Sequence, residues 1–126
     1  MPDAKEKITD AELEIMHVLW ESKEPMTITQ IKSALRGRNG DTIKTLLRRL
    51  CQKGAAAQEK REVYYYHALV SQDELSRFRT QRLIDRLYAG SAKALAAQLV
   101  KNEQLRPQDI DELRELYHEL WEKEGN

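Results

Sequence analysis

Residues 39–54 read NGDTIKTLLRRLCQKG, and the fold turns on how that stretch is placed. Asn39 is a strong helix N-cap and Gly54 a helix terminator, so the spacing predicts a helix over 40–53. At about 100° per residue, Ile43, Leu46, Leu47 and Leu50 fall on one side. The opposite side holds Asp41, Thr45, Arg48 and Gln52, flanked by Thr42, Lys44 and Arg49. One half of this helix is therefore core, and the other half is polar and mostly basic.

The elements on either side give it a context. Upstream, Thr9-Asp10-Ala11-Glu12 has capping-box spacing and opens a helix carrying Leu13, Met16, Leu19 and Trp20, expected to run to about Lys23 because Pro25 follows. Thr27 to Gln30 repeats that spacing and begins a short helix with Ile28, Ile31 and Leu35 on one face, ended by Gly37. Downstream, residues 56–60 and 62–69 read as two short strands around Lys60-Arg61, the second rich in β-formers from Val63 to Tyr66. Three short helices followed directly by a hairpin predict a winged helix-turn-helix over residues 1–70.

The remainder, residues 71–126, reads as helical. Ser71 and Glu74 have the spacing of a third capping box, ahead of a helix over 72–88 that ends at Gly90. Residues 91–101 form a second helix, and Pro107 falls in the first turn of a third. Three short helices cannot close a large core alone. The apolar positions Leu87, Leu95, Leu99, Ile110, Leu113, Tyr117, Leu120 and Trp121 are therefore expected to pack against a second copy of the chain. The competing reading folds that stripe back onto the chain's own winged helix. The expected fold class is mainly α with a small β wing, divided into a winged-helix domain and a helical dimerisation domain.

Formal net charge is zero, which on its face disfavours a polyanionic partner. Its distribution is uneven: residues 28–67 hold nine basic and three acidic side chains, whereas residues 103–126 hold three and eight. A duplex feels the local basic block rather than the total. Major-groove reading needs donors and acceptors on a protruding helix and cations at its margins. The expected DNA contacts are Thr42, Lys44, Thr45, Arg48, Arg49 and Gln52, with Lys60 and Arg61 at the hairpin tip. Two other readings stand beside this one: a winged helix used for protein interaction without DNA, and a repressor answering a redox or other signal.

Chemistry of other kinds finds little support. His17, His67 and His118 are far apart and no HExxH or CxxC spacing occurs, so neither a metal nor a cofactor is expected. P-loop and GxSxG motifs are absent, which argues against an enzyme. The single cysteine, Cys51, excludes an internal disulfide and fits a reducing cytoplasm. It reads as a small semi-buried residue, with redox sensing through a thiol pKa lowered by its basic surroundings as the alternative. No stretch is apolar for the ~20 residues a membrane span needs.

The stretches DAELEIMHVLW, DTIKTLLRRLCQKG and VYYYHALVSQDE resemble the penicillinase-repressor family, the BlaI/MecI-type winged-helix regulators. LIDRLYAGSAKAL and IDELREL extend the resemblance through the family's dimerisation region. It implies a cytoplasmic homodimer that occupies palindromic operator DNA and represses β-lactam-resistance or cell-envelope genes. It further implies induction by a membrane-bound metalloprotease sensor, with cleavage falling at Gln98-Leu99, where the family usually has Asn-Phe. Many members read Ser-Pro-Lys where this chain has Asn39-Gly40-Asp41, so a carboxylate stands in place of a cation. The paired Cys-x-Cys motifs of the copper-responsive branch do not occur.

Overall fold

The computed structural model describes residues 7–124. Its elements in order are α1 (Asp10–Glu21), α2 (Ile28–Ala34), α3 (Gly40–Gln52), β1 (Ala56–Lys60), β2 (Tyr64–Ala68), α4 (Gln72–Leu87), α5 (Ala92–Lys101) and α6 (Pro107–Glu124). This is the mainly helical architecture with one small antiparallel sheet that the sequence predicts.

Both early capping boxes form. The Thr9 hydroxyl accepts from the Glu12 amide while the Glu12 carboxylate accepts from the Thr9 amide, and Thr27 and Gln30 repeat the exchange. Helix α1 stops at Glu21, two residues before the expected end. Ser22 turns extended, and its hydroxyl donates to the Glu24 carbonyl at 2.6 Å. Local side-chain bonding of this kind competes with continuation of a helix.

The strands pair antiparallel with Ala56 opposite Ala68 and Lys60 opposite Tyr64. The second strand is shorter than its β-rich run because Glu62 and Val63 are used in the turn, where the Arg61 amide donates to the Val63 carbonyl at 3.1 Å. A third segment joins the sheet that the sequence did not suggest. Met26 and Tyr66 exchange both backbone hydrogen bonds, at 2.8 and 2.7 Å, so the link between α1 and α2 lies along β2.

The chain forms two compact units, Met1–Gln81 and Arg82–Asn126, with the division inside α4. In the first, Ile15, Met16, Leu19, Ile31, Ile43, Leu46, Leu47, Leu50, Tyr66 and Val70 are buried together with Leu75 from the first turn of α4. The indole Nε1 of Trp20 donates to the Val70 carbonyl at 2.8 Å, tying α1 to the end of the hairpin. In the second unit, Ala89 and Gly90 adopt left-handed φ and end α4. Ser91 caps α5, and Asp109 accepts from the Arg106 amide at the start of α6. Among the described residues of α5 and α6, none is buried.

Candidate nucleic-acid interface

Helix α3 is fixed at both ends and along one side. At its start the Asn39 side chain accepts from the Thr42 amide at 2.8 Å. At its end Gly54, at φ +76°, completes a Schellman turn: the Gly54 amide donates to the Cys51 carbonyl and the Ala55 amide to the Leu50 carbonyl. An ion pair then ties this end to α1. Lys53 Nζ reaches both carboxylate oxygens of Glu12, at 2.6 and 2.8 Å, and also donates to the Lys7 carbonyl. Glu12 is 0% exposed. Burial raises its carboxyl pKa, but the hydrogen bonds from Lys53 and Thr9 outweigh that and hold it below the usual glutamate range. Along the inner side Ile43, Leu46, Leu47 and Leu50 are all buried, as their spacing requires.

The outer side carries the predicted polar set, in two groups. Lys44, Arg48 and Gln52 are exposed and line a groove with Cys51, Gln58 and Tyr66, between α3 and the hairpin. Thr42, Thr45 and Arg49 line a second recess with Asp41 and Leu46. Both threonines are half-buried, and the Thr45 hydroxyl donates back to the Asp41 carbonyl at 3.0 Å. Beside Cys51, Tyr66 and Leu46, two exposed polar residues of these surfaces, Asp41 and Gln58, lie outside the predicted contacts. The helical spacing places Asp41 on the outer side without assigning it a contact, and Gln58 falls in the first strand segment. The strand register puts Gln58 opposite Tyr66, whose hydroxyl accepts from its side chain at 3.0 Å.

The hairpin tip separates the two cations expected there. Arg61 is held within the wing: it pairs with Glu59 at 3.2 Å, and its guanidinium lies 4.5 Å from the Tyr65 ring centroid. Lys60 is exposed, with no ion pair to another described residue. Cys51 matches its reading as a small semi-buried residue. It is half-buried at the back of its groove, and burial pushes the thiol pKa up rather than down. A raised thiol pKa works against the alternative of redox sensing.

The remaining candidates lie in the second unit. On α6, Leu113, Tyr117, Leu120 and Trp121 are exposed, Tyr117 by 60% and Trp121 by 59%. Leu87 and Leu99 are exposed, and Leu95 and Ile110 are half-buried. Leu116 and Val100 extend this apolar surface beyond the predicted set. Gln98 is exposed on α5, with its amide donating to Asn102 at 3.0 Å. The histidines are dispersed: His17 packs edge-to-face on Trp20, and His118 lies 3.3 Å from Glu122. Among the described residues no cluster could hold a metal, and no helix is long and apolar enough to cross a membrane.

Sequence comparison agrees with this architecture. The family model described as penicillinase repressor matches residues 8–119. The penicillinase repressor of Staphylococcus aureus is 27% identical over 127 residues, covering 98% of this chain and 100% of its own length. That of Bacillus licheniformis is 29% identical over 116 residues, covering 90% and 91%. The methicillin resistance regulatory protein MecI of Mammaliicoccus sciuri is 28% identical over 113 residues, covering 87% and 92%. A winged helix with a basic outward helix face, matched to that model along nearly its whole length, belongs to the penicillinase-repressor family of transcriptional regulators.

Proposed function

We infer that this protein is a homodimeric transcriptional repressor, occupying palindromic double-stranded operator DNA with one α3 helix in each of two major grooves about one turn apart. One observation carries the reading: α3 is locked on its inner side by four buried aliphatic residues while Lys44, Arg48, Arg49 and Gln52 stand exposed on the other. A rigid helix with cations at its margins and amide and hydroxyl groups between them suits phosphate anchoring combined with base contact. Lys60 supplies a further phosphate contact from the wing, and Arg61 braces the wing through Glu59 and Tyr65. The names of the relatives, penicillinase repressor and methicillin resistance regulatory protein, support β-lactam-resistance or cell-envelope genes as targets.

The exposed apolar stripe of α6, with Leu87, Leu95, Leu99 and Ile110, supplies the dimer contact in this reading. Relief follows from proteolysis at Gln98-Leu99 by a membrane sensor metalloprotease. Both residues sit within α5, so the helix must open locally before a protease can take the bond, and a helix without buried residues opens readily. The role is regulatory and involves no catalysis.

Filter binding over a salt series tests the DNA reading. Affinity should fall steeply between 50 and 200 mM salt, and Lys44→Ala should lower the slope of log K against log salt by about 0.9. Arg49→Ala should cost about 1–3 kcal/mol if it reads a guanine edge. Both variants should keep the dimer. A protein-interaction module without DNA function would show no retention at the lowest salt.

A further inference from the structure

The recess lined by Asp41, Thr42, Thr45, Leu46 and Arg49 spans the first three turns of α3. In helix-turn-helix proteins these turns meet base edges. A carboxylate there is unexpected on electrostatic grounds, since phosphates repel it. Asp41 is exposed, and it forms no ion pair with any other described residue, Arg49 of the same recess included. A carboxylate and a guanidinium thus share one recess with their hydrogen-bonding groups uncommitted to each other.

Thr45 sharpens the chemistry. Its hydroxyl proton is already given to the Asp41 main-chain carbonyl, so towards solvent the threonine offers lone pairs and a methyl group. The start of α3 therefore presents acceptors, from Asp41 and Thr45, beside the donors of Arg49. Base edges in the major groove differ in what they offer such a surface. Guanine presents acceptors at N7 and O6, and thymine an acceptor at O4. Adenine has an amino donor but sets the N7 acceptor beside it, where it would face the second carboxylate oxygen. Cytosine presents the N4 amino group, with only a carbon-bound hydrogen as neighbour. Its partner guanine offers two acceptors to an arginine across the same base pair.

We propose that Asp41 is a specificity-determining residue that accepts a hydrogen bond from the N4 amino group of a cytosine in each operator half-site, with Arg49 facing the paired guanine. This assignment rests on the DNA-binding reading above and names a base within it. The carboxylate selects by exclusion as well as attraction, because the other three base edges each place an acceptor against it.

Selection of bound fragments from a random double-stranded library, using the full chain and its Asp41→Ala variant in parallel, tests this. Asp41 is exposed and Thr45 bonds its main chain, so the substitution leaves the helix intact. The wild-type protein should select a C·G pair at one position of each half-site. Asp41→Ala should lose a preference there of about 5- to 150-fold, while binding random DNA at least as tightly, since a charge that repels phosphate is gone. Wild-type sites without such a pair, or an unchanged preference in Asp41→Ala, would overturn the assignment alone. Failure of the wild-type protein to retain any DNA at low salt would overturn the DNA-binding reading and this assignment together.

Discussion

Glu12 meets two demands with one side chain. Its carboxylate closes the capping box of α1 through the Thr9 amide and also receives Lys53 from the end of α3. Removing one partner of a buried pair leaves the other charge uncompensated, at a cost of about 3–5 kcal/mol when burial is complete. Lys53 keeps 23% of its side chain in contact with solvent, so Glu12→Gln should cost less, about 2–3 kcal/mol by the same reasoning. The folded pKa of Glu12 is lowered, which fixes the sign of the pH dependence. Its stabilisation is complete above the ordinary glutamate pKa near ~4.3 and is lost as pH falls through the lower folded value. Urea melts taken from about pH 6 to about pH 3 should show a larger acid loss in the wild-type protein than in Glu12→Gln. Parallel curves would remove the ion pair from its assigned role. The capping box was legible from Thr9 and Glu12 alone, because it depends on three-residue spacing. The Lys53 contact was not, since 41 residues separate the partners and no local pattern marks a lysine near a helix end as a long-range partner.

Among the elements, α6 carries the most apolar surface without a cover. Leu113, Leu116, Tyr117, Leu120 and Trp121 are all exposed within one helix, and an exposed apolar stripe of that size marks an interaction surface. Replacing Leu113 and Leu120 together by Asp should turn a dimer into a monomer, followed by multi-angle light scattering. Operator affinity should fall with it, because two linked half-sites no longer act together. A persistent dimer would place the contact elsewhere. The periodicity of α6 was readable because its apolar residues recur every three or four positions. The wing was readable only in part: two short segments around Lys60-Arg61 and the β-formers of the second gave the hairpin, while the pairing of Met26 rests on a single residue with no strand pattern of its own. The tip geometry that turns Arg61 towards Glu59 and Tyr65 likewise depends on the turn, which residue types alone did not specify.

For the molecule as a whole, a net charge of zero conceals a division of labour between a basic segment that includes α3 and the wing and an acidic segment that includes α6. A fragment ending at residue 98 keeps the first of these and loses α6 with the end of α5. In filter binding it should hold operator far more weakly than the full chain. Equal affinity would mean that cleavage at Gln98-Leu99 does not relieve repression. The overall plan was legible because caps, glycines and periodicity agreed with one another along the chain. The setting of Cys51 as a small semi-buried residue was legible too, and burial raises its thiol pKa. The bridge between Met26 and Tyr66 finally bears on where this chain could change length. Four residues join the end of α1 to Met26, and one inserted residue there would turn Met26 to the wrong face and break both hydrogen bonds. The hydrogen bonds of Arg61 at the tip, to Val63 and Glu59, stay within the wing, so reach towards a second groove can lengthen or shorten by insertion there while the core keeps its register.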